Sequence, residues 1–138
     1  MNLNLPHINW LAVLVASLAS FILGGVWFAA LFAKPYAAAL GRQGGPKTKP
    51  GPLYMVGPLL CGIVTTVTSA FLLHALKVDS MIGALAFGAV VGVGYLSATT
   101  VNTAINPNIP RPLLYGVVSG SYFLIASLVT SVILVAMK

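Results

Sequence analysis

Apolar residues run along the chain in four long stretches that contain no Asp, Glu, Lys or Arg. The stretches cover residues 8–33, 52–76, 80–110 and 112–137. The third ends in Asn106-Pro107-Asn108-Ile109-Pro110, which is loop chemistry, so its helix is expected to end near Ile105. Each stretch then offers about 25 residues, or roughly 37 Å of helix, which is enough to cross a hydrocarbon core of about 30 Å. The pattern predicts a single all-α domain, residues 1–138, forming an integral membrane bundle of four transmembrane helices at about 8–33, 52–76, 80–105 and 112–137.

Proline, glycine and capping residues mark the ends of these helices. Pro52 and Pro112 suit the first turn of a helix, where a missing N–H costs nothing. Asp79 and Ser80 can cap the third helix, and Pro58 predicts a kink in the second. After the first span, residues 35–40 predict a short interfacial helix that ends at a glycine, residue 41. Residues 44–51 follow as a flexible basic loop.

The amino-acid composition also indicates that most of the chain lies in a lipid bilayer. The chain has 138 residues, of which 59% are hydrophobic and only 6% charged. A soluble domain carries about 25% charged residues, because charge keeps its surface in water. Seven basic and one acidic side chain cannot cover a water-facing surface of this size. Membrane lipid is therefore the expected partner of most of the surface.

The net charge of +6 is distributed unevenly between the two sides of the predicted bundle. The basic residues flank apolar spans, and no face combines aromatic with basic side chains as nucleic-acid surfaces do, so nucleic acid is not an expected partner. The more basic side of a membrane protein usually faces the cytoplasm, which predicts both termini outside it. One side holds Lys34, Arg42, Lys47, Lys49 and Arg111, and the other holds Lys77 and Lys138.

Small residues recur four positions apart in every predicted span. In a bilayer such ridges allow close approach of helix backbones, which is what holds membrane helices together. Four helices bury little surface of their own, so a homo-oligomer is also expected. The predicted packing residues are Gly24, Gly88, Gly92, Gly116 and Gly120.

The spans contain no carboxylate, which excludes several kinds of chemistry. Proton-coupled transport relies on a membrane-embedded ionisable group, and paired-carboxylate hydrolysis needs two acids. We predict no catalytic residue, no cofactor and no metal site. His7 and His74 have only Asp79 nearby as a further ligand, which is too few for a metal centre. The single Cys61, inside an apolar run, is interpreted as a packing residue because a thiolate is costly in lipid.

Two groups of polar residues remain as candidate sites. Ser20, Thr65, Tyr95 and Tyr122 fall near mid-membrane depth. They either line a path for a small solute or form hydrogen bonds between helices and to backbone carbonyls. Thr99, Asn102 and Arg111 form a polar patch at the cytoplasmic end. That patch is either an anion or headgroup site or a clasp between the third and fourth helices.

Residues of the first span resemble a known family. The motifs are Ile8-Asn9-Trp10-Leu11-Ala12, Phe21, Leu23-Gly24-Gly25, Trp27-Phe28 and Leu31-Phe32-Ala33-Lys34, with Asn102, Arg111-Pro112 and Tyr122 further along. They resemble domain-of-unknown-function family 1761, small bacterial membrane proteins with four predicted helices. Family members often have Tyr, Gly and His where this chain has Phe28, Ala33 and Phe123.

The resemblance implies the four-helix architecture and carries no assigned activity. It suggests that Asn9 and Trp10 anchor and cap the first helix, and that Gly24, Gly25 and Trp27 form a tight packing point. We therefore expect a multi-pass protein of the cell inner membrane, acting as a non-catalytic structural or interaction module. The alternative is a passive channel or carrier for a small solute, lined by the mid-membrane hydroxyls.

Overall fold

The computed structural model describes residues 8–44, 49 and 51–138, and helices account for most of them. Among these residues there is no strand, and four helices are long and apolar enough to cross a membrane. The all-α prediction with four spans is thereby confirmed. The predicted basic loop lies largely outside the described residues, as does His7. The helices are α1 (Trp10–Leu31), α2 (Ala33–Ala39), α3 (Leu53–Ala75), α4 (Met81–Ala104) and α5 (Pro112–Ala136).

Side-chain caps fix the starts of two spans. The Asn9 carboxamide oxygen accepts hydrogen bonds from the backbone N–H groups of Leu11 and Ala12, at 3.0 and 3.2 Å. The Ser80 hydroxyl accepts one from the Gly83 N–H at 3.0 Å. These contacts satisfy N–H groups that have no partner inside the helix. Asp79, which the sequence offered as a second cap, instead forms an ion pair described below.

The short helix α2 follows α1 directly. It ends before Gly41, whose φ of +67° lies in the left-handed region that favours glycine. The backbone N–H of Arg111 donates to the Ala39 carbonyl at 3.2 Å, so α2 is tied to the connection between α4 and α5. The position of α2 at a membrane surface stays a prediction.

Helix α5 is the centre of the fold. It packs against each of the other four helices, and the most apolar window of α5 is 44% buried, against 17% for α4 and 22% for α3. Helices α3 and α4 make at most marginal contact with each other. The other helices are therefore arranged around α5, with a gap between α3 and α4.

The α4–α5 contact depends on glycine. A Cβ added at Gly88 would lie 2.9 Å from the Leu128 Cα, and one at Gly92 would lie 3.0 Å from the Leu124 Cα. Both neighbours are backbone atoms and cannot move aside as a side chain can. Since lipid offers no hydrophobic drive for association, such close backbone approach is the main attraction between these helices.

The same contact continues toward the ends of both helices. Here α5 supplies the glycines: a Cβ at Gly116 would lie 3.0 Å from the Val101 Cγ2, and one at Gly120 would lie 3.5 Å from the Ser97 Cβ. The Ser97 hydroxyl also donates to the Gly120 carbonyl at 2.7 Å. The interface thus runs along most of both helices.

One half of α3 stands apart from the other helices. The buried side chains of α3 are Thr66, Ser69, Ala70 and Leu73, all in its second half. Residues 53–56 of its first half are exposed, and no described atom outside its own helix backbone lies within 4 Å of a Cβ placed on Gly62. The packing face of α3 therefore continues toward its start without a protein neighbour among the described residues.

Two spans contain a stretch of π-helix, at Trp27–Leu31 in α1 and Gly92–Ser97 in α4. A π-turn holds one more residue than an α-turn. In α4 the contact residues toward α5 are four apart from Gly88 to Gly92, five apart from Gly92 to Ser97, and four apart again to Val101. The extra residue changes which side of the last third of α4 faces α5.

Candidate functional site

The interior of the fold contains a hydroxyl cluster between α1 and α5. The hydroxyls of Ser20 and Thr130 share a hydrogen bond of 2.8 Å, and both residues are buried. The Tyr122 hydroxyl donates to the Ser20 carbonyl at 3.0 Å. A Cβ on Gly24 would lie 3.0 Å from that hydroxyl, so this glycine makes room for the tyrosine. These polar groups hydrogen-bond to the protein itself.

Aromatic rings extend this contact toward the Arg111 end of the fold. The buried Trp27 donates its indole N–H to the Val118 carbonyl at 2.9 Å. The Phe28 ring lies 5.1 Å from the Tyr122 ring, and the Tyr36 ring lies 5.8 Å from the Tyr115 ring. Aromatic pairs at these separations contribute more stabilisation than the burial of their apolar area alone would give. The cluster joins α1, α2 and α5.

Burial raises the pKa of the Tyr36 phenol, and the adjacent Tyr115 adds to the increase through its charge and its hydrogen bond. Arg42 opposes it by favouring the phenolate. Tyr36 lies in α2, outside the membrane-spanning segments. It is therefore neutral at physiological pH and available as a hydrogen-bonding group.

The four residues predicted to share a mid-membrane layer are distributed over different faces. Ser20 and Tyr122 are in contact. Thr65 lies on α3 and donates to the Cys61 carbonyl one turn earlier, at 2.9 Å. Tyr95 lies on α4 with 70% of its surface exposed. The structure therefore brings together two of the four, and their role as a solute lining stays a prediction.

Helix α4 carries a row of exposed polar side chains. Within the part of the chain that the structure describes, the side chains of Tyr95, Thr99 and Asn102 make no hydrogen bond. Gly94 and Ala98 lie beside them and are also exposed, and no described atom outside its own helix backbone comes within 4 Å of a Cβ on Gly94. We call these five residues the α4 polar face.

The predicted patch of Thr99, Asn102 and Arg111 is not joined by hydrogen bonds among the described residues. Arg111 is exposed just before α5 begins, while Asn102 lies in the last turn of α4. Whether the patch binds an anion or forms a clasp stays a prediction.

An open groove of about 320 Å³ borders the α4 polar face. The hydroxyls of Thr100 and Thr103 donate to carbonyls one turn earlier, at 2.7 and 2.9 Å, and so are satisfied. The groove thus has a wall with free hydroxyls, at Tyr95 and Thr99, beside an aromatic wall. It is lined by Tyr95, Leu96, Thr99, Thr100 and Thr103 of α4 and by Tyr115 and Phe123 of α5.

The opposite end of the fold has a smaller cavity of about 220 Å³, near Asn9, His74 and the α3–α4 connection. The Lys138 ammonium lies 2.6 Å from an Asp79 carboxylate oxygen. The hydrogen bond and the charge of Lys138 lower the pKa of Asp79. The Asn9 amide donates to the Met137 carbonyl, which closes the end of α5. Among the described residues no three His, Cys, Asp or Glu side chains come together as metal ligands.

Sequence reasoning did not single out Thr130 or assign a role to the Trp27 indole. Thr130 is the hydrogen-bonding partner of Ser20. Because α1 and α5 are antiparallel, the two residues lie at the same depth, and this matching of depth is the signal that identifies the pair. For Trp27, an indole N–H within an apolar span indicates that a carbonyl partner is required.

Four long apolar helices, three of them packed on the central α5, with the Ser20, Thr130 and Tyr122 hydroxyls bonded in the interior, define a multi-pass helical membrane protein. The model of the family described as "Protein of unknown function (DUF1761)" matches residues 11–135, nearly the whole chain. The chain belongs to this family, as its first-span motifs indicated. No curated protein matches the chain. No solved structure matches it either.

Proposed function

We propose that this protein is a non-catalytic interaction module of the cell inner membrane, which works by associating with other protein inside the bilayer. One observation carries the proposal: the α4 polar face is exposed and unpaired within a membrane-spanning helix, whereas the interior hydroxyl cluster is paired.

The energetics favour a protein partner for this face. An amide or hydroxyl moved from water to a hydrocarbon-like medium without a hydrogen bond costs roughly 4–8 kcal/mol, and about 0.5–2 kcal/mol on scales that allow partial compensation. Lipid tails supply neither donors nor acceptors. Polar side chains on membrane helices usually find their partners on neighbouring helices. An unpaired row of them supports association as the role of this surface.

The absence of catalysis is supported by the residue types available. The four spans hold no Asp, Glu, Lys or Arg that would transfer a proton or stabilise a developing charge. The hydroxyls of Ser20, Thr130 and Tyr122 are engaged with the protein. None of them has an adjacent base that would make it a nucleophile.

The proposed orientation follows from the basic residues. Lys34, Arg42, Lys49 and Arg111 flank the same ends of the spans, and Lys77 and Lys138 flank the other ends. By the positive-inside rule the first group faces the cytoplasm, and both termini lie on the other side.

A passive carrier for a small solute is the second candidate. It is favoured by the groove of about 320 Å³, which is lined by Tyr95 and Thr99 hydroxyls and is large enough for a small molecule. It is disfavoured by the engagement of Ser20, Thr65 and Tyr122, because hydroxyls bonded to the protein no longer replace the hydration of a passing solute.

Energy transfer between labelled copies in liposomes tests the proposal. Cys61→Ser with Gln43→Cys gives one labelling site in the connection after α2. We expect transfer above the level for randomly distributed proteins at the same density, and a decrease when unlabelled chain is added. Solute flux is expected to equal that of empty liposomes.

The contradicting result is transfer at the random level together with solute flux that Thr65→Val and Tyr122→Phe abolish. That outcome would establish the carrier instead. Gly25→Ala is the control substitution, because no described atom outside its own helix backbone lies within 4 Å of the new Cβ. This variant is expected to leave both energy transfer and solute flux unchanged.

A further inference from the structure

The α4 polar face reaches well into the membrane. Tyr95 lies nine residues before the end of α4 at Ala104, which corresponds to about 13 Å along the helix axis. Side chains on a helix tilt toward its N-terminus, so the Tyr95 hydroxyl is directed further from the Arg111 end rather than toward it. It therefore cannot reach the nearer headgroup region as an interfacial tyrosine does.

Thr99 and Asn102 continue this row toward the membrane surface. They follow Tyr95 by four and seven residues, which places all three on one side of the helix over about 10 Å. The three side chains share two properties: they are exposed, and within the described residues they lack a hydrogen bond. The row offers donors and acceptors from mid-membrane to the interface.

The π-turn in α4 turns Tyr95 and Thr99 of this row away from α5. If the four-residue contact spacing of Gly88 and Gly92 continued, Leu96 and Thr100 would face α5, with Tyr95 and Thr99 next to them. The extra residue instead directs Ser97 toward α5. It rotates the rest of α4 by about 100°. The backbone irregularity thus turns Tyr95 and Thr99 further away from α5 than an uninterrupted helix would.

We propose that the α4 polar face is the contact surface for a second copy of this chain, with two α4 helices side by side and parallel across a twofold axis perpendicular to the membrane. This inference rests on the proposed function and names its partner. Hydrogen-bonding complementarity identifies the partner as a copy. The Asn102 carboxamide and the Thr99 and Tyr95 hydroxyls are each both donor and acceptor, so each can bond to its own counterpart.

Twofold symmetry also places the bonding partners at the same depth in the membrane, as hydrogen bonds between two helices require. Two copies inserted in the same orientation carry Tyr95, Thr99 and Asn102 at identical levels of the bilayer. Gly94 and Ala98 beside them permit the close approach that such bonds need, since the space over Gly94 is open. The groove next to the face leaves room for side chains of the second copy.

The exposed half of α3 is different in kind. Its outward side chains include Leu53, Val56 and Leu60, which are apolar and compatible with lipid tails. Contact through α3 is therefore an outcome of the test and not the proposal.

Three glycine substitutions separate these faces. Gly25, Gly62 and Gly94 lie in α1, α3 and α4, and all three have open space where a side chain would extend. We expect Gly94→Leu to reduce energy transfer in liposomes to the random level, because a large side chain separates the two α4 helices. Gly25→Leu and Gly62→Leu are expected to keep the wild-type transfer.

Asn102 gives a second comparison. Asn102→Leu, similar in size but without donors or acceptors, is expected to weaken association at least several-fold. Asn102→Gln, which keeps the carboxamide, is expected to retain most of it. Loss of association in both variants alike, or in neither, would contradict hydrogen bonding by this amide.

Cysteine cross-linking provides a test that does not depend on destabilising the protein. In a Cys61→Ser background, Ala98→Cys is expected to give a disulfide-linked dimer in membranes under mild oxidation, because a disulfide needs Cβ atoms about 3.8 Å apart. Ile22→Cys, on the exposed side of α1, is the matched control and is expected to stay monomeric.

Each result has a distinct meaning. A dimer from Ile22→Cys and none from Ala98→Cys would overturn the α4 contact, as would loss of transfer in Gly62→Leu with Gly94→Leu unaffected. In both cases association itself, and with it the proposed function, would stand. A wild-type chain that shows only random transfer would overturn this inference, and the proposed function would fall with it when the liposomes also show the solute flux described above.

Discussion

Replacing Gly88 by alanine tests the idea that close backbone approach holds α4 against α5. The added methyl would meet the Leu128 Cα at 2.9 Å and the Ser127 carbonyl oxygen at 3.0 Å. Both atoms belong to the backbone of α5, so relief requires the helices to separate by several tenths of an ångström. Overpacking of this kind costs about 1–3 kcal/mol.

A control substitution isolates that cost. Gly25→Ala and Gly62→Ala are also helical, but no described atom outside their own helix backbone lies within 4 Å of the added methyl. The intrinsic helix preference of alanine over glycine, about 1 kcal/mol, is common to all three variants and cancels in the comparison. Gly88→Ala is therefore expected to be about 1–3 kcal/mol less stable than either control.

The assay is reversible unfolding in mixed micelles with increasing sodium dodecyl sulfate, followed by tryptophan fluorescence. The free energies of unfolding of the three variants are compared at one detergent composition. A Gly88→Ala variant as stable as Gly25→Ala and Gly62→Ala would refute the backbone contact at this position, because the space around the glycine would then make no difference to stability.

Three further predictions concern single contacts. Trp27→Phe removes the indole N–H donated to an α5 carbonyl at 2.9 Å and is expected to lower the free energy of unfolding by about 1 kcal/mol in the same detergent titration, followed by circular dichroism because the variant loses a fluorescence reporter; an unchanged value would contradict the bond. Because Lys138 lowers the pKa of Asp79, their pair is present above the ordinary carboxyl pKa of about 3.9 and is lost as the pH falls through the lower folded value. Asp79→Asn is therefore expected to melt below wild type at neutral pH and together with it in strong acid, and a gap that persists in acid would refute the pairing. Gly41→Ala places a side chain at a φ of +67° and is expected to lower stability by about 1–2 kcal/mol by thermal unfolding in nanodiscs, and no change would argue against the left-handed turn.

The sequence predicts the ends of the long helices well because charge and proline mark them. The four long helices begin and end within two residues of the limits expected for the spans, for example Met81–Ala104 against 80–105. A charged side chain inside the bilayer is costly, so its position is a reliable boundary. Hydropathy thus determines the depth of each residue along its helix.

Depth does not determine rotation about the helix axis. Ser20, Thr65, Tyr95 and Tyr122 were predicted at one level, yet only Ser20 and Tyr122 face each other. The π-turn at Gly92–Ser97 changes the facing side of α4 by one residue, and no residue pattern in the sequence predicted it. The unpaired α4 polar face became visible only when the packing of α4 on α5 was known.

The central claim is that four helices cross a bilayer and place the α1–α3 and α4–α5 connections on the same side. Single cysteines in a Cys61→Ser background, introduced at Gln43, Lys77 and Asn108, test it by labelling intact cells with a membrane-impermeant maleimide. We expect Lys77→Cys to be labelled in intact cells, and Gln43→Cys and Asn108→Cys to be labelled only after the membrane is opened. Labelling of Gln43→Cys and Asn108→Cys from opposite sides would contradict the four-span arrangement.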